Sequence, residues 1–243
     1  MNALLLAAGL GTRLRPITDT IPKCLVPIHG QPLLGIWVRR LISAGIGQLV
    51  VNTHYLSDQV AAYLDDIPDG DRIYLFHETQ LLGTGGTLLA TREALGQGPV
   101  MVVHADNFST MDIGGFIEQH RQRPAGTIMT MALFETDDPQ SCGIVVTDEH
   151  GVVHEFHEKV ANPPGNLANA AVYIIEPEVI DLCAALNKAV VDLSTEIIPD
   201  LIGRIYTYKI DGYHRDIGSP AALDQVHLDI SASDLDALLW EQK

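Results

Sequence analysis

Short apolar runs alternate with segments whose apolar residues recur at three- and four-residue spacing through the first half of the chain. Residues 3–8, 49–53, 72–76 and 100–104 are of the first kind and read as buried strands. Residues 32–44, 57–65 and 85–95 are of the second kind and read as helices. In the first helix Leu34, Trp37, Val38, Leu41 and Ile42 share a face, while Arg39, Arg40 and Ser43 fall off it. A β-α-β-α order predicts an α/β fold with a mostly parallel sheet and helices on both faces. Right-handed crossovers then place every strand's C-terminal end on one edge, where open α/β sheets bind ligands.

The second half changes style. Residues 128–134, 143–147 and 152–156 are strand-like, and Asp148-Glu-His-Gly151 between the last two is a hairpin turn. A strand over 169–175 precedes a helix over 177–186, a late strand covers 204–210, and helices are expected over 220–230 and 234–240. Asn162-Pro-Pro-Gly-Asn166 is a loop, and no solenoid-period repeat or low-complexity tract interrupts the chain. No second catalytic domain is expected in the residues after Asp216.

A 243-residue chain that is 47% hydrophobic and 19% charged can bury a sizeable core, which excludes wholesale disorder. Fifteen Lys plus Arg against 31 Asp plus Glu leave a net charge of −16. That balance argues against a nucleic-acid partner or an anionic-membrane partner, because both need basic surface. Cys24, Cys142 and Cys183 are far apart and form no CxxC pair, so reduced thiols are expected. No run approaches the roughly 20 apolar residues of a membrane span. The opening nine residues have the apolarity of a secretory leader but no basic residue ahead of it, and the run stops at Gly9. They are read as a first strand, and the expected location is cytoplasmic.

That strand runs into Gly9-Leu-Gly11-Thr12-Arg13-Leu14. Two glycines let backbone N–H groups approach an anion, and Arg13 adds a charged fork suited to phosphate. A dinucleotide fingerprint would carry a third glycine where Leu14 stands, and the P-loop spacing is absent. Lys23 lies between Pro22 and Pro27, on a stiffened segment near the loop. A tight turn and a solvated lysine are the ordinary alternatives for these two features.

Leu6-Ala-Ala-Gly-Leu-Gly-Thr-Arg-Leu-Arg-Pro16, followed by Pro22-Lys23-Cys-Leu-Val-Pro27, resembles the signature of sugar-1-phosphate nucleotidylyltransferases. The resemblance implies transfer of a nucleotidyl group from a nucleoside triphosphate to a sugar 1-phosphate, with Mg²⁺ as cofactor. It implies a three-layer sandwich with a mixed, mainly parallel, Rossmann-like sheet of the glycosyltransferase-A type. One domain over 1–243 is expected, with about 1–110 binding nucleotide and about 111–243 binding sugar. Ala7, Ala8, Gly9, Gly11, Thr12, Arg13 and Lys23 would hold the nucleotide, with Arg13 and Lys23 catalytic.

Other segments extend the likeness. Glu78 with Gly83, Thr84, Gly85 and Gly86 resembles the base-contacting segment, most closely that of guanylyltransferases acting on mannose- or heptose-type sugars. Glu78 would then accept from guanine N–H groups. Uridylyl- and cytidylyltransferases carry related segments, so UTP, CTP or dTTP and an N-acetyl amino-sugar or muramate 1-phosphate stay open. Asp106 ends the fourth strand, where an acidic residue suits a hard cation, and Asp216 resembles the family's second metal carboxylate. Ala105 stands where the family mostly has glycine. For the sugar phosphate the likeness points to Asn107, Gly143, Glu158, Lys159, Asn169 and Thr195, with Val160 in place of proline and Ala171 in place of glycine. Ala171 is expected to narrow the pocket, and a helix start capped by Ser194 is the plain alternative around Thr195. His150, His154 and His157 are read as surface or sugar-site residues and not as zinc ligands.

Three rival readings remain: a nucleotide-sugar sensor without catalysis, a cytidylyltransferase for an alcohol phosphate, and a nucleotide-dependent oxidoreductase. The intact set Arg13, Lys23, Asp106, Lys159 and Asp216 favours an enzyme. A homo-oligomer is left open, since Trp37, Leu41 and residues 235–240 suit a partner or the core equally well. The net charge limits where the cations lie. Two of the five lysines, Lys23 and Lys159, fall in phosphate-assigned motifs, and screening over about 8 Å lets such a cluster act locally.

Overall fold

The computed structural model describes residues 1–231, 234 and 235. Along the chain it contains β1 (Asn2–Leu6), β2 (Pro27–Ile28), β3 (Gln31–Pro32), α1 (Leu33–Ser43), β4 (Leu49–Thr53), α2 (Ser57–Asp66) and β5 (Ile73–His77). Then come α3 (Gly83–Ala90), α4 (Arg92–Leu95), β6 (Val100–His104), β7 (Asn107–Ser109), α5 (Ile113–Arg121), β8 (Met129–Glu135) and β9 (Gly143–Thr147). The rest are β10 (Val153–Glu158), β11 (Leu167–Ile175), α6 (Pro177–Ala185), β12 (Ile205–Lys209), β13 (His214–Asp216) and α7 (Pro220–Asp229). The helix expected over 234–240 falls mostly outside the described residues. The α/β class that the apolar pattern predicted is the class of this chain, and its sheet is mixed, as the family resemblance implied.

Two compact units share these elements: residues 1–81, 104–113 and 212–243 form one, and residues 82–103 and 114–211 the other. In the first unit β1, β4 and β5 form a parallel ladder, with Ala3 opposite Leu49 and Leu49 opposite Ile73. β1 and β4 are apolar on both faces because both faces are covered: Leu4, Leu5, Val50 and Val51 have no exposed surface. α1 buries the predicted face, Trp37 and Leu41 included. Arg40 departs from expectation. It is buried, and its guanidinium donates to the Ser109 carbonyl at 2.6 Å and to that of Met111. Burial pulls its pKa down to about 10, against the opposing pull of Asp112.

The Arg40 contacts anchor the segment after β7, and Trp37 Nε1 donates to the Asn107 carbonyl at 2.7 Å. β7 pairs antiparallel with β13, setting Asp216 opposite Asn107. The Ile217 N–H donates to the Asp106 carbonyl at 3.2 Å. This three-residue ladder brings together two aspartates 110 positions apart in the chain.

In the second unit β11 pairs antiparallel with β6, β8 and β9, while β9 and β10 form the expected hairpin and β12 runs parallel to β8. The β8–β11 register breaks between Asn169 and Tyr173, where Ala171 takes a left-handed φ of 53°. α5 escapes a reading of apolar period because Gly114 and Gly115 dilute its first turn. Among the described residues no helix is long and apolar enough to cross a membrane.

Candidate active site

β1 delivers the chain to the glycine loop, and its end is tied to the neighbouring strands. The Ala7 N–H donates to Asn52 Oδ1 at 2.7 Å, and Asn52 Nδ2 donates to Glu78 Oε1 at 2.7 Å. Past Ala8 the loop opens. Gly11 has φ 63°, and a Cβ there would lie 2.8 Å from Thr18 Cγ2, so only glycine fits. The Thr18 hydroxyl donates to the Gly11 carbonyl at 2.7 Å. A Cβ on Gly9 would meet nothing within 4 Å, which leaves that face of the loop open to a ligand.

The loop, Lys23, Asp106 and Gly218 line a cavity of about 270 Å³. Lys23 rises from a short helical turn that begins after Pro22. Its ammonium lies 2.6 Å from Asp106 Oδ2 and 3.0 Å from Asp216 Oδ1, with only 7% of the residue exposed. Burial works against the charge, but Asp106 and Asp216 outweigh it and hold the Lys23 pKa above its ordinary value. Asp106 is shifted the opposite way: desolvation opposes ionisation, and the Lys23 charge prevails to keep the carboxyl below the usual range. Arg13 stands more loosely, 3.4 Å from Asp216 Oδ2 and largely exposed.

Two carboxylate oxygens converging on one cation suit a hard divalent metal, and the ammonium marks the point where positive charge is held. Among the described residues no group of three or more His, Cys, Asp and Glu side chains could hold a metal. Two protein oxygens plus substrate phosphates is the ligand set that Mg²⁺ characteristically takes.

The second unit gathers a separate polar group. A Cβ on Gly143 would lie 2.6 Å from Glu158 Oε2 and 2.7 Å from the Phe156 ring, so the glycine makes room for the carboxylate. Lys159 has φ 50°, donates its N–H to the Cys142 carbonyl at 3.1 Å and keeps an exposed ammonium 3.3 Å from Glu158. Asn169 is oriented at both ends: Nδ2 donates to the Tyr173 hydroxyl at 2.7 Å, and Oδ1 accepts the Ala171 N–H at 2.9 Å. Tyr173 is wholly buried, which raises its phenol pKa.

The family model described as "Nucleotidyl transferase" matches residues 2–233. The chain belongs to the nucleotidyl transferase family. It is 33% identical over 228 residues to a mannose-1-phosphate guanylyltransferase of Mycobacterium tuberculosis, covering 90% of this chain and 62% of that protein. The chain thus spans less than two thirds of the length of that relative. It is 30% identical over 232 residues to the UTP–glucose-1-phosphate uridylyltransferase AglF of Haloferax volcanii, covering 93% of this chain and 94% of that one. Among solved structures, HddC from Yersinia pseudotuberculosis complexed with GMP-PN superposes with a TM-score of 0.78 at 23% identity, covering 94% of this chain and 98% of that chain. UDP-glucose pyrophosphorylase complexed with UDP-glucose superposes at 0.77 and 21% identity, covering 94% and 97%. Both share its fold.

The chain brings Gly9, Gly11, Thr12, Arg13, Lys23 and Asp106 to one cavity, with Asp216 bonded to two of its cations. Several other expected site residues have protein partners. Glu78 is buried, accepts from Asn52, and donates its N–H to the Thr53 carbonyl at 2.8 Å. The Gly85 and Gly86 N–H groups donate to the Val191 carbonyl at 2.8 and 3.1 Å, so the first turn of α3 is partly committed. Thr84 Oγ1 accepts the Leu193 N–H at 2.7 Å. Thr195 gives both its N–H and its hydroxyl to Asp192 Oδ1, at 2.9 and 3.0 Å. The cap of that turn is therefore Asp192 and not Ser194. Asn107 is buried on β7 in the first unit with Asp106, while Glu158 and Asn169 belong to the second.

Asn52 and Tyr173 were not singled out from the sequence. Asn52 had a signal, since with Thr53 it makes a polar end to an otherwise apolar, buried strand. Tyr173 lies in the segment Asn169-Ala-Ala171-Val-Tyr173-Ile, which resembles a family motif, but inside an apolar strand a tyrosine reads as core.

Proposed function

We propose that the chain transfers a nucleotidyl group from a nucleoside triphosphate to a sugar 1-phosphate. In this reading a phosphate oxygen of the sugar 1-phosphate attacks the α-phosphorus. The bond from that phosphorus to the bridging oxygen breaks, and pyrophosphate leaves with the electron pair. The attacking oxygen is already anionic, so no side chain needs to act as nucleophile or base. The chain's task is positioning and charge neutralisation. The convergence of Lys23 and Arg13 with Asp106 and Asp216 beside the Gly9–Gly11 loop carries this reading.

Gly9 and Gly11 admit the triphosphate, Arg13 neutralises the departing pyrophosphate, and Lys23 holds phosphate oxygens. Asp106 and Asp216 would hold the divalent cation, Mg²⁺ in this reading, which when bound supplies charge stabilisation at the phosphates. Glu158, Lys159 and Asn169 are assigned to the sugar 1-phosphate. Arg13, Lys23, Asp106, Lys159 and Asp216 are all present in the sequence, which supports an enzyme over a sensor.

GTP with a mannose- or heptose-type sugar is the favoured pair. It rests on the sequence likeness of the Gly83–Gly86 segment and on the mannose-1-phosphate guanylyltransferase relative, while Glu78, buried against Asn52, holds the strand end and does not meet the base. AglF, a uridylyltransferase similar over nearly its whole length, supports UTP as the second reading. A pyrophosphate-release assay over a grid of nucleoside triphosphates and sugar 1-phosphates tests both. Turnover with GTP and mannose or heptose 1-phosphate is expected. Turnover with UTP or CTP but not GTP would overturn the base assignment, and none with any pair would overturn the reaction.

A further inference from the structure

We propose that Lys23 and the divalent cation exclude each other at the Asp106–Asp216 pair, so that the metal enters only together with a nucleotide. The inference rests on the reading of these aspartates as metal ligands, and it concerns how Lys23 controls them. The Lys23 ammonium sits within hydrogen-bond distance of one oxygen from each carboxylate, at 2.6 and 3.0 Å. A divalent ion bound to oxygens of the same pair, at a metal–oxygen distance of about 2.1 Å, would be brought against a like charge already held there. Repulsion between like charges at that distance sets the two in competition for the pair.

Charge balance points the same way. Two carboxylates face two side-chain cations, Lys23 and Arg13, so the local charge is already near neutral. A dication arriving alone would add positive charge and would find only two protein ligands, since no third acidic, histidine or cysteine side chain joins the group among the described residues. A triphosphate removes both obstacles. Its oxygens complete the metal's shell, and its negative charge gives the displaced ammonium a new partner. Lys23 lines the cavity bounded by the glycine loop, so its head reaches a phosphate bound there while its stem stays between Pro22 and Pro27. Lys23 thereby acts as a resident counter-ion that keeps the aspartates paired until the nucleotide comes.

The test uses Mn²⁺ alone as probe on nucleotide-free protein, with loss of the free-ion EPR signal as readout. The unmodified protein is expected to bind Mn²⁺ weakly. Lys23→Met, which keeps an unbranched chain and removes the charge, should bind it roughly 10- to 100-fold more tightly. Adding Asp106→Asn to Lys23→Met should abolish that gain. Tight, Asp106-dependent binding by the unmodified protein would overturn the exclusion while leaving the metal reading intact. No binding by Lys23→Met would overturn both. If Lys23→Met fails to fold, the unmodified protein still decides. A rise in its melting temperature with Mn²⁺ alone that Asp106→Asn removes would overturn the exclusion, and no such rise would support it.

Discussion

Gly11 is held from two directions, by a left-handed backbone and by Thr18 packed where a side chain would begin. Gly11→Ala therefore adds a steric contact to a disfavoured φ, and a loss of about 1–3 kcal/mol of stability is expected. Chemical denaturation checks this, and nucleotide affinity should fall with it because the loop must move. Gly9 differs, since nothing in the protein opposes a Cβ there. Gly9→Ala should leave stability within about 1 kcal/mol and act on nucleotide binding alone. At Asp106 the change is electrostatic. Asp106→Asn keeps shape and one acceptor but withdraws a charge from Lys23 and from any bound cation. Turnover is expected to fall by roughly 10²–10³, with circular dichroism unchanged. Near-normal turnover would remove Asp106 from the metal site.

The elements that were legible before folding were those with covered faces. β1, β4 and β6 announced themselves as continuous apolar runs, and α1 by its stripe. β7 and β13 did not, because three residues carry no readable period. Asp106 and Asp216 could each be picked out by local context, but their meeting depends on a ladder that only tertiary structure reveals. Arg40, which falls off the apolar stripe of α1, is buried for a related reason. A helical pattern cannot show that backbone carbonyls wait on the far side to accept a guanidinium. α5 hid behind two glycines and carries a buried titratable group, His120. Its Nδ1 lies 2.7 Å from Thr130 Oγ1, and Nε2 lies 3.3 Å from Glu176, which also pairs with Arg123. Burial, and then the Arg123 charge, push the His120 pKa down to about 4. Below about pH 6.5 the unfolded chain takes up a proton that folded His120 refuses, so stability declines as pH falls towards 4 and levels off below it. The full loss attributable to this residue is on the order of 3 kcal/mol. Urea midpoints at pH 7 and pH 4.5 should differ less in His120→Asn than in the unmodified protein, and equal differences would show that His120 does not titrate as described.

At the scale of the whole molecule, a net charge of −16 confronts the proposed substrate, a nucleoside triphosphate that is itself an anion. The local cations Arg13 and Lys23 act at contact distance, while the acidic surface acts over the Debye length. At about 10 mM salt that length is some 30 Å, so an approaching nucleotide experiences mainly repulsion from the net charge. At about 100 mM it shrinks to roughly 10 Å, and most of the acidic surface is screened before the nucleotide reaches the loop. The association rate of a fluorescent nucleotide, followed by stopped flow, should therefore rise a few-fold between these salt concentrations. The dissociation rate should rise too, because salt weakens the contacts to Arg13 and Lys23 once the nucleotide is bound. An association rate that falls steadily from the lowest salt would show a basic funnel dominating the field. The acidic balance would then govern solubility and have no part in substrate capture.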